Sequence, residues 1–171
     1  QHTIPADEIP DIIVSETMDA ALETEPQVAI MRHLSSQAPE ALLVPESVQV
    51  DAVLLDTSVE PARVEPDLED SIPESSPARI PLGAGCTRDA PSSESWKELA
   101  DDPLPADSVK LPPAPDAHYK PFLFTTIVTH GKHILRTHDC GLTSPRAFPD
   151  DGALASGATA CFHYRLGASP G

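Results

Sequence analysis

The chain has 171 residues, a formal net charge of −16, 20 prolines and only seven aromatic residues. So negative a surface repels phosphates and argues against nucleic acid as a direct partner. The 40% apolar share is ordinary, but 21 of those residues are alanine. With few large side chains to bury, ordering must overcome roughly 1–2 kcal/mol of backbone entropy per residue. The composition therefore predicts a mostly intrinsically disordered chain with no globular fold.

Composition changes near residue 117. Residues 1–117 hold 24 Asp and Glu against 6 Lys and Arg, with 16 of the prolines and one aromatic, Trp96. Residues 118–171 hold 3 acids against 5 bases, the other six aromatics and five of the seven histidines. Three regions are expected: an acidic, proline-rich interaction region (1–117), a possible β-hairpin segment (118–140) and an irregular Ala/Gly/Ser-rich tail (141–171).

In chain order, Val14, Met18, Ala21 and Leu22 fall on one helical face between Pro10 and Pro26, with Asp11 as a candidate N-cap. Pro26 is suited to open a second short helix carrying Val28, Met31 and Leu34. Both are too short to persist alone in water, so nascent helices are expected. Between Pro45 and Pro61, Val48, Val50, Ala52 and Leu54 alternate with Ser47, Gln49 and Asp51, an extended pattern. Residues 61–117 read as linker apart from the Trp96 region. Phe122–Thr129 and Lys132–Thr137 are β-favouring runs joined by His130-Gly131, a two-residue hairpin spacing near residues 120–137. Nothing nearby in the sequence offers a third strand, and an isolated hairpin is barely stable.

Three stretches carry interaction chemistry. Ile12-Ile13-Val14-Ser15-Glu16, with Asp11 before it and Asp19 after, resembles a SUMO-interacting motif. That resemblance implies an extended strand added to the edge of the modifier's sheet, with the acids facing a basic rim. Val53-Leu54-Leu55-Asp56-Thr57-Ser58-Val59-Glu60 is a looser copy. Ser93 to Leu104, with Trp96 and Leu99 one helical turn apart among acids, resembles transactivation segments, which implies an induced helix in a coactivator groove. Val64 to Ala78 resembles PEST segments. Within it Ser71 suits an acid-directed kinase and Ser76-Pro77 a proline-directed one, each phosphate adding about −1.5 to −2 charges.

The tail collects His130, His133, His138, Cys140, Cys161 and His163, ligand types that zinc accepts, but without finger spacing or Cys-x-x-Cys. Three widely spaced cysteines imply no disulfide framework. No Gly-rich phosphate loop, nucleophile elbow or His-Glu-x-x-His stretch occurs, so no catalytic residues are expected. No apolar run is long enough to span a bilayer. The start at Gln1 is expected of a processed chain or a fragment.

The expectation is a non-enzymatic protein–protein interaction segment, nuclear or cytoplasmic, with no cofactor or metal and no membrane partner. Its partner would carry a basic or hydrophobic groove, a SUMO-like modifier or a coactivator, contacted through Ile12, Ile13, Val14, Trp96 and Leu99. The alternatives are a small His/Cys zinc module in the C-terminal part, or a tail without selected function.

Overall fold

The computed structural model describes residues 3–60, 78–89, 91–92, 104–148 and 157–166. These form a folded, β-rich domain with a multi-strand sheet core, which overturns the expectation of a mostly disordered chain. In chain order the elements are β1 (Ile12–Val14), α1 (Gln27–Gln37), β2 (Leu42–Val44), β3 (Ser47–Asp56), β4 (Arg79–Arg88), β5 (Leu104–Lys110), β6 (Tyr119–His130), β7 (His133–Leu135), β8 (Arg146–Ala147) and β9 (Thr159–Tyr164). Short 3₁₀ turns lie at Ala20–Leu22 and Gly141–Thr143.

β3 is the centre of the main sheet, whose strand order is β4-β3-β6-β7, with β8 also paired to β6. It pairs antiparallel with β6 without interruption from Ser47↔Val128 to Asp56↔Tyr119. On its other side it pairs antiparallel with β4, with register shifts at Val50/Asp51 and Ala52/Val53. Alternation along β3 sends Val48, Val50 and Ala52 to one face and Val53 and Leu55 to the other. Val48 and Val50 meet Ile127, Leu104, Tyr164, Met18, Leu22 and Val28. Ala52 joins Val109, Leu111 and Phe148, and Phe148 meets Phe162 edge-on at 5.6 Å. On the opposite face Val53 and Leu55 pack with Phe122 and Phe124.

Here lies the reason the composition misled. Each fully buried Val, Leu, Ile, Met or Phe side chain contributes roughly 1.5–3 kcal/mol, and β3 is buried on both faces. The aromatic residues are few but concentrated: Phe122, Phe124, Phe148 and Tyr164 are all buried. β5 and β9 form a second, two-stranded sheet that lies against the main one. A Cβ placed on Gly85 would sit 3.3 Å from the Phe162 ring, and one on Gly83 3.3 Å from Val109. Glycine at these two positions of β4 lets the layers approach.

The N-terminal elements differ from the helical reading of residues 11–22. β-Branched Ile12, Ile13 and Val14 form β1, and Ala21 and Leu22 adopt φ of +59°, outside the right-handed helix. Those two backbone positions are held from elsewhere. The Ala21 N–H donates to Thr125 Oγ1 at 2.9 Å, and Leu22 is buried. After Pro26, α1 runs from Gln27 to Gln37 and buries Val28 and Met31.

β6 and β7 pair with His130 opposite His133, so the turn is Gly131-Lys132 rather than His130-Gly131, with Gly131 at φ +55°. The third strand that the hairpin needs is β3, whose residues precede their β6 partners by 63 to 81 positions in the chain. The compositional boundary near residue 117 is not a break in the sheet, because β6 pairs along the whole of β3.

Arg88 is fully buried on β4. Its Nη2 donates to the Pro45 carbonyl at 2.7 Å, and burial lowers its pKa to about 10. Among the described residues no helix is long and apolar enough to cross a membrane.

A fold centred on β3 unfolds as one unit. Thermal denaturation followed by circular dichroism is expected to show a cooperative transition, and Leu55→Ala is expected to lower stability by about 2–5 kcal/mol. A featureless melt for both proteins contradicts this architecture.

Candidate functional site

Ile12-Ile13-Val14 and Leu42-Leu43-Val44 are two short apolar runs, and the structure pairs them as the parallel strands β1 and β2. A parallel pair needs a crossover connection, supplied here by residues 15–41 with α1 inside them. Ile13 and Leu43 face inward and pack with Met31 and Ala38. The alternate positions face outward: Ile12 is 55% exposed, Val14 71% and Leu42 36%. Ile12 stands opposite Leu42 and Val14 opposite Val44. The ribbon is therefore apolar on both faces but covered on one. Parallel strands are normally covered on both.

The outer edge of β1 is open as well. Leu42 N–H donates to Asp11 O at 2.8 Å, and Ser15 N–H to Val44 O at 2.9 Å. Residues 11 and 15 thus direct their backbone groups toward β2, and by alternation Ile12 and Val14 direct theirs to the opposite side. Among the described residues β1 has no strand partner other than β2.

The C-terminal end of this strand is pinned to the start of α1. Gln27 is fully buried; its Oε1 accepts from Ser15 Oγ at 2.9 Å and Thr17 Oγ1 at 2.8 Å, and its Nε2 donates to Ser15 O at 3.3 Å. Well upstream of the strand, Ile4 N–H donates to Gln37 Oε1 at the end of α1, at 2.8 Å. Exposed Asp7, Glu8, Asp11 and Glu16 surround the strand in sequence. The result is a pre-formed strand with exposed apolar side chains and an acidic rim.

The looser copy of the motif is placed differently. Val53, Leu54 and Leu55 are 7%, 4% and 0% exposed in the middle of the main sheet, paired on both sides. They hold the core together and are closed to a partner. Trp96, Leu99, Ser71 and Ser76 lie outside the described residues. Leu104, the last residue of the segment around Trp96, is fully buried at the start of β5.

A buried charged cluster escaped the sequence reading. Glu60 is 1% exposed, and Arg79 donates to both its oxygens, Nε at 3.0 and 2.8 Å and Nη2 to Oε1 at 2.6 Å. His138 Nε2 lies 3.2 Å from the same Oε1, and the Arg79 guanidinium stacks 4.8 Å from the Phe124 ring. With three donors on it, the Glu60 carboxylate has little room to act as a base. The arrangement clasps the two ends of the segment joining β3 to β4. Arg79 and Glu60 are 19 residues apart in sequence, so no local motif announces the pair.

The histidines and cysteines of the tail disperse. His130 Nδ1 pairs with Glu46 at 2.6 Å, His138 with Glu60, and Cys140 caps the 3₁₀ turn at Gly141–Thr143. Cys161 and His163 lie exposed on β9. Among the described residues no three His, Cys, Asp or Glu side chains form a group able to hold a metal ion. No protein-family model and no curated protein matches this chain.

The three thiols differ in environment. Burial, with the Asp107 carboxylate adding to it, pushes the Cys86 thiol up to about 11, whereas Cys161 is exposed. Alkylation at neutral pH followed by mass spectrometry is expected to modify exposed Cys161 well before partly buried Cys86, whose rate should rise on unfolding. The unfolded chain releases the Cys86 proton near its ordinary value of 9.0, and the folded chain holds it. Stability from this residue is therefore complete below pH 9 and is lost as pH rises toward 11. Cys86→Ala should flatten that alkaline decline; an unchanged slope excludes Cys86 as its source.

Proposed function

We propose that this protein is a folded interaction domain that binds a partner by strand addition along the outer edge of β1. The observation that carries the reading is the exposure of Ile12 and Val14 on a strand whose Ile13 is committed to the core. Strand addition supplies backbone hydrogen bonds, and pockets on the partner accept alternate side chains. Here those side chains are Ile12 and Val14, with Leu42 beside them.

Charge selects the partner. A chain of net charge −16 with Asp7, Glu8, Asp11 and Glu16 along the strand repels a second acidic edge and attracts a basic one. A small folded protein with an open strand edge flanked by Lys and Arg fits, and a SUMO-like modifier has that chemistry. Such a partner implies a nuclear or cytoplasmic setting. The strand is held in extended form by its pairing with β2 and by Gln27 at its end before binding, so less ordering entropy opposes association than for a disordered peptide.

The test uses the whole domain and a SUMO-like modifier in a heteronuclear NMR titration. Shifts are expected along the modifier's edge strand, weakening as salt is added. Combined Ile12→Ser and Val14→Ser should reduce affinity at least tenfold, with the melting temperature unchanged. Ile13→Ala should instead lower stability by about 2–5 kcal/mol. No shift at millimolar modifier, or undiminished binding by the double variant, overturns the proposal.

A further inference from the structure

β9 presents a cysteine and a histidine on one face, and among the described residues one of its edges has no strand partner. Its sequence is Thr159-Ala160-Cys161-Phe162-His163-Tyr164. Phe162 packs inward over Gly85 and Tyr164 is buried, so the alternate residues Cys161 and His163 share the outward face, where both are exposed. Two residues apart on one strand face, they are neighbours at about 6.5–7 Å between Cα atoms. A thiolate and an imidazole are two of the four ligands a tetrahedral zinc site takes.

The strand's free edge has the right phase to bring two more. Leu111 N–H donates to Ala158 O at 2.9 Å, so Ala158 and, by alternation, Ala160, Phe162 and Tyr164 direct their backbone toward β5. Thr159, Cys161 and His163 direct theirs to the opposite edge, where β9 has no strand partner among the described residues. A second copy pairing antiparallel there, with the two-fold axis at Phe162, sets Cys161 opposite His163 of the other copy in two hydrogen-bonded pairs. All four side chains then lie on one face, with Cβ atoms of opposed residues about 4.5–5.5 Å apart. β9 contains no Lys, Glu, Asp or Pro, the residues that usually block edge-to-edge pairing.

We infer that Cys161 and His163 form a half-site for zinc, completed by the same two residues of a second copy of this chain across paired β9 edges. Two thiolates neutralise the zinc charge, so closure adds no net charge to an acidic dimer. This site is on a different strand from β1 and stands or falls independently of the partner proposed above.

Sedimentation of the full chain, in a phosphine reductant that keeps thiols free, tests the inference. Zinc chloride is expected to double the mass with one zinc bound per two chains, and chelation with EDTA to restore the monomer. Cobalt in place of zinc should give thiolate-to-metal absorption. Cys161→Ser and His163→Ala should each abolish the mass change while leaving the melting temperature unaltered, and Cys140→Ser should preserve it. A monomer at saturating zinc, one zinc bound per monomer, or a zinc-dependent dimer that survives Cys161→Ser overturns it.

Discussion

The two-sided pairing of β3 is the constraint on which the rest of the structure depends. Ten consecutive residues, Ser47–Asp56, are matched residue for residue by β6, and β4 closes the other side. With both edges satisfied, β3 can be apolar on both faces, which few antiparallel strands are. One face receives the N-terminal elements and the β5–β9 sheet through Met18, Leu22, Leu104 and Tyr164. The other packs Val53 and Leu55 on Phe122 and Phe124, and the Arg79 guanidinium covers Phe124. β3 draws its neighbours from both compositional halves of the chain, so the core of the main sheet needs both.

That dependence explains which parts were legible in the sequence. The period-two alternation of Val48, Val50 and Ala52 is local, as is the placement of Pro26 ahead of Val28 and Met31. Both are set by residues adjacent in the chain. The pairing of β3 with β6 is not local, since Ser47 meets Val128 across 81 residues. A count of aromatics averaged over the chain could not show that Phe122, Phe124, Phe148 and Tyr164 all converge on β3 and its neighbours. Val53-Leu54-Leu55 illustrates the same limit from the other side. As a short apolar run beside acids it is indistinguishable from Ile12-Ile13-Val14; burial in the middle of a sheet separates the two.

The candidate sites were visible as residue types and hidden as geometry. Ile12, Ile13 and Val14 stood out as a β-branched run, but the division of labour among them comes from the β2 partner and from α1. Ile13 is bound to Met31 and Ala38, which leaves Ile12 and Val14 to face outward. The tail histidines and cysteines stood out as possible ligands, yet His130 and His138 are engaged by Glu46 and Glu60 from the acidic half. Only Cys161 and His163 share a strand face, a relation that requires knowing that residues 159–164 are extended.

Among the described residues β1 and β9 each have one edge without a strand partner, and their chemistry points to different occupants. The β1 edge is bordered by Asp7, Glu8, Asp11 and Glu16, all exposed. Like charges brought face to face would oppose pairing with another copy, so these acids act against self-association while favouring a basic edge. β9 has no charged residue within its span, and the exposed charges beside it are of both signs, Lys110 and Arg165 with Asp107 on β5. A self-complementary edge must present groups that attract their own kind across a two-fold axis. Cys161 and His163 do not do so by themselves; in the inferred site a shared zinc ion makes them complementary. On these proposals the acidic edge selects a different protein by charge alone, whereas the uncharged edge needs a metal to join it to its own kind.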